Sequence, residues 1–144
     1  MKQEDKDLLL KDLCARLPYN LVVQIENEIV VLDSICNDDG YYFNFIGNDR
    51  EGVNIEKIKP YLFPLSSMTE EQRNEFLNIQ SEERKILFDA LVKYRYEKED
   101  KIPIITLTKH IDWLNAHHFD YRDLIPMGLA NDATGLNIYQ IWER

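Results

Sequence analysis

The chain has little from which to build covalent, metal-bound or phosphate-binding machinery. Its two cysteines, Cys14 and Cys36, fall in different expected elements and make no C-x-x-C pair, so they read as two small buried thiols in preference to a disulfide. Five glycines occur, none of them in a phosphate-cradling loop. No Lys/Arg-rich run is present, and the formal net charge of −9 argues against a nucleic-acid surface and against docking on anionic membranes. The longest aliphatic runs, such as 29–32, fall far short of the ~20 residues that a membrane span needs. The segment Met1-Lys2-Gln3-Glu4-Asp5 is charged and lacks the apolar core of a signal peptide, so a cytoplasmic protein is expected.

What is present reads as one α+β domain over residues 1–144, with a β-rich half at about 1–64 and a helical half at about 65–144. Leu8, Leu9, Leu10, Leu13 and Leu17 recur at helical spacing with Lys11, Asp12 and Arg16 between them. This predicts an N-terminal amphipathic helix that ends at Pro18 and buries a leucine stripe. An antiparallel β-meander follows. Residues 21–25 and 29–35 flank a tight turn at Glu26-Asn27-Glu28, in which Asn27 suits a positive φ. Asp39-Gly40 suits a second turn before the aromatic strand 41–46. Residues 53–58 read as a fourth strand or extended edge. Periodicity does not choose between an open sheet and a small SH3-like barrel. The charge of the β half is concentrated in its loops: residues 21–64 hold eight acidic and three basic side chains.

Pro60 and Pro64 predict an irregular crossing segment over 59–64. Thr69 with Gln72 fits a capping box for a helix whose buried side is Phe76, Leu77 and Ile79. A second helix is expected from Ser81 with the set Ile86, Leu87, Ala90, Leu91 and Tyr94, before an extended segment at 102–105. A third, capped by Thr106 or Thr108, should turn Ile111, Leu114 and His118 inward. The C-terminal helical half thus holds about three helices, and a short amphipathic tail ends in Tyr139, Ile141 and Trp142.

The run Trp113–Arg122 carries the candidate chemistry. His110 and His117 are seven apart and share a helix face with Trp113, and His118 and Asp120 complete a conceivable metal-ligand set. The spacing matches no established zinc pattern, and successive residues on a helix point about 100° apart. The helix dipole and aromatic packing explain the same residues without a metal. No nucleophile elbow or EF-hand order is present, so no catalytic residue and no cofactor is assigned. Trp113, His117, His118, Asp120, Tyr121 and Arg122 remain as candidate binding residues, being of the types that dominate interface hot spots.

The runs 58–71 and 112–122, Ile58-Lys59-Pro60-Tyr61-Leu62-Phe63-Pro64 onward and Asp112-Trp113-Leu114-Asn115-Ala116-His117-His118-Phe119-Asp120-Tyr121-Arg122, resemble a group of small uncharacterised proteins. That group is encoded by gut Bacteroidetes, often in prophage-like or other mobile regions. The resemblance implies a cytoplasmic bacterial or phage setting and assigns no residue a role. Three functions are therefore expected, in this order: a non-enzymatic protein-interaction or regulatory module with a protein partner, a metal-dependent enzyme using His110, His117, His118 and Asp120, and an acidic mimic of DNA.

Overall fold

The computed structural model describes residues 1–50, 52–79 and 105–141, with the side chains of 105–107 and 141 excepted. The chain is a mixed α+β structure that forms two compact units, Met1–Ser67 with His118–Arg144, and Met68–His117.

In the first unit, helix α1 (Gln3–Arg16) is followed by strands β1 (Val22–Ile25), β2 (Glu28–Asn37), β3 (Tyr41–Phe45) and β4 (Ile58–Pro64). The helical stripe of α1 is present, with a change of occupants. Positions 9, 12, 13 and 16 are its buried face, and Asp12 and Arg16 lie there with no exposure at all, beside Leu9 and Leu13. Cys14 on the same helix and Cys36 on β2 are exposed, not buried as expected. Those two positions lie off the faces that pack.

Strands β1, β2 and β3 pair in sequence as antiparallel neighbours. The β1–β2 turn is Glu26-Asn27, and its positive φ of 52° falls on Glu26, not on Asn27. The Gln24 amide donates to the Glu26 carbonyl at 2.9 Å, which ties the turn to β1. At the β2–β3 turn, Asp39 and Gly40 both take positive φ, as the Asp-Gly signal requires.

The fourth strand is displaced from its expected place. Residues 55–57 form a 3-10 turn, begun by the Asn54 side chain accepting from the Glu56 amide, and β4 occupies the stretch expected to be irregular. It pairs antiparallel with β1, with Pro60 opposite Val23. Backbone alternation explains why the proline is tolerated. The Leu62 carbonyl accepts from the Ala133 amide, so it points to the side where the later strand β6 (Asn131–Asp132) joins. Pro60, two residues earlier, directs its nitrogen to that same side, and its missing donor takes nothing from the β1 ladder.

The chain from His118 returns to this sheet. Strand β5 (Phe119–Asp120) runs parallel to β4 at Phe63 and Pro64, and β6 (Asn131–Asp132) runs parallel to it at Tyr61 and Leu62. The sheet order is β3-β2-β1-β4-β5, with β6 also on β4. Among the described residues no pairing returns to β3, so the sheet is open, not the SH3-like barrel. Its principal core joins Leu9 and Leu13 of α1 to Leu21, Val23, Ile25, Leu32, Phe43, Ile58, Leu62 and Leu124.

In the second unit, residues 70–79 are helical. The capping box is formed in both directions: the Gln72 amide donates to Thr69 Oγ1 at 3.1 Å, and the Thr69 amide donates to Gln72 Oε1 at 3.0 Å. A further helix spans Ile105–Ala116. Ile111 is exposed, and the ring of Phe76 meets His110 and Trp113, so the inward face is rotated from the expected Ile111–Leu114 line. Leu77 is also exposed. The helix expected from Ser81, with Ile86 through Tyr94, the extended 102–104 and Trp142 lie outside the described residues.

Candidate functional site

The Trp113–Arg122 run divides between the two units. In the second, His117 stacks on Trp113 with ring centroids 4.0 Å apart, and its Nδ1 lies 2.8 Å from the Trp113 carbonyl oxygen. The carbonyl can only accept, so that nitrogen is the N–H donor. His110 stacks on Phe76 at 4.3 Å.

In the first unit His118 begins the return to the sheet with a φ of 60°, and its carbonyl accepts from the Phe63 amide. Its ring lies parallel to Tyr139 at 3.7 Å. Asp120 is buried and organises the next turn. Its Oδ1 accepts from the amides of Arg122 and Leu124, and its Oδ2 from that of Ile125 at 2.9 Å. Among the described residues no group of three or more His, Cys, Asp or Glu side chains is placed to hold a metal ion.

Tyr121 and Arg122 adjoin a buried charge cluster that the helical spacing alone did not reveal. Arg16 Nε donates to Asp12 Oδ2 at 2.9 Å, and Arg16 Nη2 donates to the Phe119 carbonyl at 2.6 Å. Arg122 Nε is 3.4 Å from Asp12 Oδ1, and both guanidinium groups lie near the Tyr121 ring, at 5.2 and 5.0 Å. Desolvation raises the Asp12 carboxyl above the ordinary aspartate range, against the opposing pull of Arg16 and Arg122. The Tyr139 hydroxyl, buried and donating to the Tyr61 carbonyl at 2.6 Å, is likewise driven up by desolvation. With Asp12 and Arg16 sealed from solvent, this cluster is suited to joining α1 to the C-terminal segment, and its ion pair offers no face to a substrate.

The surface open to a ligand lies elsewhere in the first unit. Strand β3 ends the sheet, pairing with β2 on one side, and on its other edge the chain turns back so that Asn48 bridges Phe45. Beside it runs a groove of about 350 Å³, lined by Tyr41, Tyr42 and Phe43 of β3, by Gly52–Ile55, and by Gln3, Lys6, Asp7 and Leu10 of α1. Tyr41 and Tyr42 are 50% and 44% exposed. Phe43 and Phe45 anchor the same strand in the core, so a firmly seated strand presents two half-exposed aromatic rings.

The electrostatics of this edge are one-sided. From residue 17 to residue 49 the chain has six acidic side chains and no lysine or arginine. Glu26 and Glu28 are paired with Arg50, and Glu26 also with Lys57. Asp33, Asp38, Asp39 and Asp49 are exposed and have no ion pair among the described residues. A 17–49 charge count beside the Tyr41-Tyr42 pair was the signal that could have found this surface. That β3 is terminal could not be read there, because strand order depends on distant pairings.

Comparison of the chain with protein-family models, with curated proteins and with solved structures finds no match.

Proposed function

We propose that this protein is a non-enzymatic interaction module that binds an extended segment of a partner protein along the β3 edge. One observation carries the reading: a terminal strand with two exposed tyrosines borders an open groove. Toward Tyr41, away from the Phe45–Asn48 bridge, the edge offers backbone donors and acceptors to an added strand, and alternating side chains of that strand can enter flanking pockets. Tyrosine supplies large contact area at low entropic cost, which suits it to such a rim. The same reading includes a bacterial or phage cytoplasmic setting and a regulatory use of the contact.

The test is solution NMR on isotope-labelled protein titrated with peptides selected from a random decamer display library. Selected peptides should shift the amides of 41–45 and 52–55 together. Failure to select any peptide, or shifts confined to other strands, would remove the basis of the reading.

A further inference from the structure

The principal core comes close to the surface where β3 begins. Phe43 and Val53 are buried members of that core, yet both line the hollow of about 350 Å³ beside the strand, so its floor is the core itself. Leu10 of α1 and Ile55 pack on the same core, are only partly covered, and form two of its walls. Tyr41 forms the third. Side chains alternate along β3, so Tyr41 stands on the Phe43 face and Tyr42 on the opposite one. Lys6 of α1 reaches Glu56 at 2.9 Å, which ties the helix to the 3-10 turn at the other wall. An apolar floor with a few polar groups at the rim is the common make-up of a small-molecule site, and this volume lies at the small end of the range.

We infer that this hollow binds a neutral, flat small molecule of one or two rings that carries a carbonyl-type acceptor. Neutrality follows from the charges that line it. Lys6 and Asp7 are opposite in sign and each is already engaged, Lys6 by Glu56 and Asp7 by the Gln3 amide at 2.9 Å. A charged guest would give up hydration and meet no unpaired counter-charge. Flatness follows from Tyr41, whose half-exposed ring offers an aromatic guest a stacked or edge-to-face partner. The acceptor follows from Asn54 at the rim. Its Oδ1 accepts from the Glu56 amide at 3.0 Å, whereas its Nδ2 donates to no described residue and is left for the guest. The inference requires no strand pairing on β3, so it stands apart from the reading of that edge as a peptide-docking surface.

The experiment titrates the whole isotope-labelled protein with indole-3-acetamide, indole-3-acetate and tryptamine, which share a ring system and differ in the charge of the side arm. Indole-3-acetamide should shift the amides of 41–43 and 52–55 with a dissociation constant on the order of 100 µM, as a ligand of about a dozen heavy atoms permits. The anion and the cation should each bind about fivefold more weakly. Tyr41→Ala should weaken indole-3-acetamide about tenfold. Asn54→Asp retains an acceptor for the Glu56 amide, so the turn should persist, but it removes the donor. It should weaken indole-3-acetamide about fivefold, so that tryptamine binds as well as the amide does. Unchanged amide spectra outside 40–57 would show that both variants fold.

Equal affinity for the three compounds would overturn selection of a neutral guest. Shifts centred on other residues, or an affinity unmoved by Tyr41→Ala, would overturn the site. Absence of binding by all three at millimolar concentration would overturn the inference and leave the peptide-docking reading untouched. Binding of a tryptophan-containing octapeptide but of none of the small molecules would assign the hollow to a side chain of a protein partner. Dimerisation by sedimentation, abolished by Tyr41→Ala, would assign it to a second copy, and either result would overturn the inference.

Discussion

Arg16 is a fully buried arginine whose three named contacts are the Asp12 carboxylate, the Phe119 carbonyl and the Tyr121 ring. Removing one member of such a pair strands the other charge in a low-dielectric site. Arg16→Met or Asp12→Leu should each cost about 3–5 kcal/mol, and the double substitution far less than their sum, as a double-mutant cycle in urea would measure. Additive losses would show that the two side chains do not act as a pair. The Asp12 carboxyl also gives a signed pH effect. Because its folded-state pKa is raised, the native chain holds a proton more tightly than the unfolded chain, and stability from this group declines as pH rises from 3.8 through the raised value. The deficit of D12N relative to the unsubstituted protein should therefore be largest at the acid end and shrink with rising pH. Urea midpoints collected from pH 3 to 7 would contradict this if the gap widened.

Among the elements, β4 and the capped helix are the most instructive. Prolines at 60 and 64 argue for irregular backbone by their own rules, yet the segment is the strand against which β1, β5 and β6 all assemble. The reconciliation is directional, since the nitrogen of Pro60 faces away from β1. Pro60→Val should then be neutral or lose about 0.4–1 kcal/mol through greater freedom of the unfolded chain. A clear gain in thermal stability would mean that a ladder bond had been missing. The capping box shows the opposite case, where a local rule suffices. Thr69→Ala should cost about 1 kcal/mol and speed hydrogen exchange at the Gln72 amide, and unchanged exchange there would discount the cap.

At the scale of the whole molecule, one side chain of the C-terminal segment, Tyr139, ties it to two strands of the first unit. The Tyr139 hydroxyl donates to the Tyr61 carbonyl on β4 and receives the Val22 amide of β1 at 3.3 Å, while its ring holds His118. Its folded-state pKa is raised above the ordinary tyrosine value of 10.0, so stability from it is intact below that value and declines as pH climbs past it. Tyr139→Phe should lose about 1–3 kcal/mol at neutral pH and flatten the alkaline limb of the stability curve. A variant with the same alkaline slope would show that other groups govern that limb. No helix among the described residues is long and apolar enough to cross a membrane.

Rules that act within four or five residues were legible in the chain. They cover the period of α1, the Asp39-Gly40 turn, the Thr69–Gln72 cap and the anchoring aromatics of β3, because each depends on neighbours a turn or a strand pitch away. Other features depended on partners far along the chain. The contact that lets Arg16 occupy a leucine-like position comes from Phe119, 103 residues on, and the bond that fixes Tyr139 to Val22 spans 117. Burial of a charge is decided by whether an opposite charge and a free carbonyl arrive beside it, and periodicity carries no record of that arrival. The same holds for the exposed edge: two tyrosines and a run without cations were visible in the letters, but only the order of strands left β3 last.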